Sequence, residues 1–94
     1  MYNLEEKIKH LEKQLNDIKI VEGQWYRRNT HAYEMVSYIN NIIALHHAEN
    51  YEYIPAFIRR AKKFLLRKKP SYLNAEYIAL VINYIELMEI KLTT

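Results

Sequence analysis

Leu4-Glu5-Glu6-Lys7-Ile8-Lys9-His10-Leu11-Glu12-Lys13-Gln14-Leu15-Asn16-Asp17-Ile18 carries the clearest pattern in the chain. Leu4, Ile8, Leu11, Leu15 and Ile18 alternate steps of four and three, the a/d spacing of a helix with one apolar seam. Asn3 just before it suits an N-cap, and Glu5 and Glu6 suit the positive end of the helix dipole. Glu5–Lys9 and Glu12–Lys13 mix their signs on faces read as exposed. Such a seam serves either of two ends. It packs on its own domain, or it pairs with a second copy as a coiled coil, for which only about two and a half heptads are clean.

Working outward, Gly23 falls where this helix would end. Arg27-Arg28-Asn29-Thr30 then reads as a polar break, with Thr30 capping a second helix that runs to about Glu49. The seam nevertheless stays in phase across the break, because Trp25, Ala32, Val36, Ile39 and Ile43 occupy later a/d positions. An uninterrupted helix from Asn3 to Ala48 would be about 69 Å long. A compact chain of this size has a radius of gyration of about 12 Å, so a helix of that length would need a partner to cover it.

Pro55 and Pro70 delimit a third helix, Pro55 in the first turn where its missing N–H costs nothing. Phe57, Ile58, Ala61, Phe64 and Leu65 share one arc of about 120°, and Arg59, Arg60, Lys63 and Arg67 share an arc of about 100° opposite it. Lys62 and Lys69 flank the basic arc, and Lys68 falls on the apolar one. A fourth helix starts at Asn74 and runs to about Lys91, apolar over most of its circumference and therefore expected to be central to the fold or to an interface.

Together these readings predict an all-α protein, a three- or four-helix bundle with an N-terminal heptad-patterned helix. Residues 1–94 form a single helical domain, with helices at about 3–22, 30–49, 55–69 and 74–91, the first two separate or continuous. A homodimer or higher homo-oligomer is expected, joined through the first segment (Leu4, Ile8, Leu11, Leu15, Ile18), the last helix, or both.

Composition removes several classes. With 94 residues the chain is one small domain, and with no Cys it has no disulfide, thiolate zinc site or cysteine nucleophile. One Gly rules out the phosphate-cradling glycine loops, and one Gly with two Pro is too few turn-formers for a sandwich or barrel. The N-terminus lacks the pattern of a signal peptide, and Tyr77–Ile85, the most apolar stretch, falls well short of the roughly 20 residues that span a bilayer. A cytoplasmic location without membrane contact is the expectation. Ile, Asn, Lys and Tyr are abundant, all residues with AT-rich codons, which together with small size suggests a phage or mobile-element origin.

Charge is unevenly placed. Of the 14 basic residues, seven (Arg59, Arg60, Lys62, Lys63, Arg67, Lys68, Lys69) lie between positions 59 and 69 with no acid among them, although the net charge is only +3. Such asymmetry points to a polyanionic partner. Arg59, Lys63 and Arg67 recur one turn apart, a row that suits either an acidic protein surface or the phosphates of a nucleic acid. A solvated face is the plain alternative, since basic residues near a helix C-terminus complement its dipole. Helix 3, Pro70 and helix 4 are not a helix-turn-helix, because Ile78, Val81, Ile82 and Ile85 stand where a recognition helix needs polar side chains.

Trp25-Tyr26-Arg27-Arg28 joins the three residue types that dominate interface energetics, making these four residues candidate anchors. The nine tyrosines are otherwise read as rings buried with their hydroxyls wet. His46 and His47 invite a metal, but adjacent helical residues point about 100° apart, so one ion is not expected to use both. The Glu-x-x-His repeats of di-iron bundles are absent as well. Ser37 and Ser71, the only serines, have no partners at a spacing that implies a nucleophile. The expectation is therefore a non-enzymatic regulator, inhibitor or adaptor, without metal or cofactor, that binds an acidic partner through Arg59, Arg60, Lys62, Lys63 and Arg67. A low-specificity DNA or RNA binder using the same face is the alternative, and a structural assembly subunit the third.

Overall fold

The Asn3 side chain caps the first helix: the Glu6 backbone N–H donates to Asn3 Oδ1 at 2.8 Å, satisfying one of the donors that a helix start leaves unpaired. In the computed structural model residues 3–21, 30–67 and 75–93 are described, and these form four α-helices with no strand among them. They are α1 (Leu4–Val21), α2 (Thr30–His47), α3 (Ile54–Arg67) and α4 (Ala75–Thr93), with a 3-10 turn at Tyr51–Tyr53 leading into α3. The protein is all-α, and its helices pack as a bundle.

Two antiparallel pairs make up that bundle, α1 along α4 and α2 along α3. The first pair is fixed at two levels, Glu5 with Lys91 and Glu12 with Tyr84, stepping seven residues in opposite directions along the two helices. The seam runs between and beyond those levels. Ile8, Leu11 and Leu15 are buried in the chain's own core with Val81, Tyr84, Ile85 and Met88 of α4, while Leu4 and Ile18 pack at its edge. Packing within the domain thus accounts for the burial of Ile8, Leu11 and Leu15. From the other pair come Met35, Val36, Ile39 and Ile42 of α2 and Ile54, Ile58, Ala61 and Phe64 of α3.

α2 and α3 are joined by a tight reversal. The Asn50 N–H donates to the Leu45 carbonyl at 2.9 Å and the Glu49 N–H to the His46 carbonyl at 3.2 Å, the paired bonds of a Schellman cap. Glu49 occupies the left-handed position of that cap at φ 60°, where glycine is the usual residue because a Cβ is costly there. The reversal leaves His46 and His47 in the last turn of α2.

A single helix through residues 3–48 is incompatible with this arrangement. The Glu12 and His46 side chains meet at 2.8 Å, whereas a straight helix would separate residues 34 apart by about 51 Å. Doubling back gives a radius of gyration of 12.8 Å, near the roughly 12 Å expected of a compact chain of this length. α4 is less enclosed than its composition suggested, since Ile82 and Ile90 are exposed. No described helix is long and apolar enough to cross a membrane.

Candidate functional site

α3 has one strongly apolar side and one strongly basic side. Ile54, Ile58, Ala61 and Phe64 anchor it to the core with Phe57 and Leu65 packed beside them, while Arg59, Arg60, Lys62, Lys63 and Arg67 are all exposed. Two of the five cations are taken up by neighbours: Lys62 donates to Glu89 of α4 at 2.7 Å, and Arg67 approaches Glu34 of α2 at 3.9 Å. Pairs this exposed contribute about 0–1 kcal/mol each. The Arg60 guanidinium stacks over the Phe57 ring at 5.1 Å. Among the described residues, Arg59, Arg60 and Lys63 have no carboxylate partner.

Within this basic face stands a residue that sequence reading passed over. Leu66 is 88% exposed. Seven residues on from Arg59, it lies about 20° away on the helical wheel, between Arg59 and Lys62. Leu66 also forms one wall of a groove of about 500 Å³ between α3 and α4, floored by Leu65, Ile82 and Ile85 and edged by Lys62, Glu86 and Glu89. Half of the signal was present in the sequence: Leu66 fell outside the apolar arc, and an apolar residue inside a charged arc is a surface feature. The candidate anchors Trp25, Tyr26, Arg27 and Arg28 lie outside the described residues, as do Lys68, Lys69, Pro70, Ser71 and the proposed cap Asn74.

On the other side of the molecule, α1, α2 and α4 converge on a buried carboxylate. Glu12, read from the sequence as exposed, is almost fully enclosed, because it flanks the seam on the side that α4 and the end of α2 cover. Its Oε2 receives the Tyr84 hydroxyl at 2.7 Å and lies 2.8 Å from His46 Nδ1, while its Oε1 lies 3.1 Å from His47 Nε2. Lys91 Nζ is 2.8 Å from His46 Nε2. An ammonium can only donate, so His46 Nε2 accepts and its Nδ1–H donates to Glu12.

Around this centre lies a rim of charge. Lys91 pairs with Glu5 and sits 4.9 Å over the Tyr51 ring, and Glu5 Oε2 lies 3.7 Å from His46 Nε2. The hydrogen bond from Lys91 holds the Glu5 carboxyl below its usual range against a smaller opposing effect of burial. For Lys91, burial works downward but is outweighed by the bond and charge of Glu5, leaving it raised. Burial and the bond to Glu12 push the Tyr84 phenol well above its ordinary range, so it stays a donor.

Adjacent helical positions do not keep His46 and His47 from one shared group. Their side chains leave the helix in different directions, yet His46 turns its near nitrogen, Nδ1, and His47 its far nitrogen, Nε2, onto the two oxygens of one carboxylate. Ring length compensates for the angular offset. Compared with known protein families, curated proteins and solved structures, the chain shows no match.

Proposed function

We propose that the protein is a non-enzymatic helical binding module that docks an acidic, partly apolar protein segment on the exposed face of α3. Leu66 carries the reading. A leucine almost wholly in water, set among Arg59, Lys62 and Lys63, contributes nothing to the core, whereas it would be buried by a partner with an apolar side chain between acidic ones. The adjoining α3–α4 groove offers further apolar contact at Leu65 and Ile82. Arg59, Arg60 and Lys63 supply attraction and orientation, which raises the association rate more than the affinity. A phosphate-tracking face has no use for Leu66, and the pairs at Lys62 and Arg67 shorten the unpaired row, so nucleic acid ranks second.

Selection from a random peptide display library tests the proposal, with counter-selection against a variant carrying Arg59→Glu, Lys63→Glu and Leu66→Asp. The expected winners combine Asp or Glu with Leu or Phe and lose binding to the variant. Winners without acidic residues, or equal binding to the variant, would reject it. Fluorescence anisotropy with random duplex and single-stranded DNA and RNA at about 50 and 200 mM salt tests the second reading, since phosphate binding collapses as salt rises.

A further inference from the structure

We propose that Glu12, His46 and His47 bind one divalent metal ion of the zinc class, using His46 Nδ1, His47 Nε2 and the Glu12 carboxylate. The candidate ligand atoms of the three residues lie within 4.8 Å of one another. Zinc holds nitrogen and carboxylate ligands at about 2.0–2.1 Å, so tetrahedral neighbours stand about 3.4 Å apart. The hydrogen-bonded separations of 2.8 and 3.1 Å between Glu12 and the two rings must each open by a few tenths of an Å to admit the ion, and His47, whose side chain is 62% exposed, has room to turn as they do.

Three features favour an ion at this place over hydrogen bonds alone. Glu12 is a buried carboxylate whose three donors, Tyr84, His46 and His47, can all be neutral, and buried charges are ordinarily paired or bound to metal. Both histidines lie in the last turn of α2, where the negative end of the helix dipole faces a cation. Supporting groups are also in position. Tyr84 holds one oxygen of Glu12, and Glu5 Oε2, at 3.7 Å from His46 Nε2, is placed to accept a hydrogen bond from Nε2–H once Nδ1 becomes a ligand. A carboxylate behind a ligating histidine fixes its tautomer and raises its basicity.

The exchange balances simply. His46 moves its proton from Nδ1 to Nε2, Lys91 shifts toward Glu5 and the Tyr51 ring, and neutral His47 presents Nε2 with its proton on Nδ1. Three protein ligands leave the fourth position to water, reached through a cleft of about 270 Å³ between Lys9, Glu49, Tyr51 and Lys91. With nitrogen and oxygen donors, zinc is preferred to magnesium or calcium, and cobalt(II) is a faithful spectroscopic stand-in.

Chelator-treated full-length protein titrated with cobalt(II) and then zinc tests the site. The expected result is a tetrahedral visible band saturating at one equivalent and displaced by zinc. His47→Ala removes an exposed side chain, so it should keep the helical circular dichroism while weakening binding at least ~10-fold, the lower end of what even a supporting residue contributes. Tyr84→Phe should weaken it by about 10-fold with the band unchanged in shape. No band at stoichiometric cobalt, an octahedral spectrum, or unaltered binding in folded His47→Ala would each overturn the proposal. Glu12→Gln serves as a further check only where its circular dichroism matches wild type.

Discussion

At the junction of α1, α2 and α4 one carboxylate is enclosed and receives three donors, whereas along α3 Arg59, Arg60 and Lys63 stand in water without a carboxylate partner among the described residues. The same kinds of side chain meet opposite treatment in two parts of one small bundle. Inside, charge is expensive, and the Glu12 carboxylate is held by three donors from two other helices. Outside, charge is inexpensive and geometry loose, so the three cations place little constraint on the fold. The interior cluster should therefore govern stability and the surface row association.

The sharpest break of this division comes from the seam of α1, one turn past Glu12. Leu15→Asp places a carboxylate in the apolar core, where Leu15 is buried, at a cost of about 3–5 kcal/mol, the range for an uncompensated buried charge. For a domain whose whole stability is about 5–15 kcal/mol, that is most of the margin. Thermal circular dichroism should show loss of the cooperative transition at low protein concentration. Dissociation of an oligomer into folded subunits would return the seam to an interface between copies.

Next in size is Tyr84→Phe, which removes one donor from Glu12 and leaves the carboxylate under-satisfied, at about 1–3 kcal/mol. Tyr53→Phe is the matched control. Its ring is exposed, and urea melts should place it within about 0.5 kcal/mol of wild type. Equal effects at the two tyrosines would remove the distinction between the cluster and the surface.

These contrasts also mark what the sequence disclosed. The seam, the cap at Asn3 and the basic arc of α3 are local patterns of spacing and residue type, and each is read within one helix. The Glu12 cluster joins residues 34, 35 and 72 positions apart, so it exists only once the chain has doubled back. A heptad reading assigns Glu12 to a flank and leaves it there, because a two-helix seam buries only a and d. With α4 and the end of α2 both against α1, the buried stripe is wider and the flank is included. Adjacent histidines were likewise judged by Cα direction, when the length and choice of ring nitrogen decide what they reach. Leu66 is the converse case: it belongs to no apolar arc, so periodicity gives it no place in the core, and only its isolation among cations marks it.

Between the two regions lies the reversal after α2, where Glu49 adopts φ 60°. Glu49→Gly should stabilise by about 0.5–1 kcal/mol, the left-handed penalty less the backbone freedom that glycine restores to the unfolded chain. In a domain of this size each kcal/mol raises Tm by about 4–8 °C. A fall in Tm would mean that the Glu49 side chain contributes to the adjoining cleft more than its backbone conformation costs.

The smallest effect on stability, and the most informative for function, is expected from Arg59→Glu with Lys63→Glu. Both side chains are exposed and without carboxylate partners among the described residues, so each change should stay within about 0.5 kcal/mol. Its direction should be upward, because Arg59, Lys63 and Arg67 stand at i, i+4 and i+8 on α3, where like charges repel. Urea titration of the double variant at low and high salt reads this directly. The gain over wild type should be visible at low salt and vanish as screening shortens the range of the repulsion. A loss of stability that persists at high salt would instead place Arg59 and Lys63 in the fold itself, and the division between a structural interior and a binding surface would fail at α3.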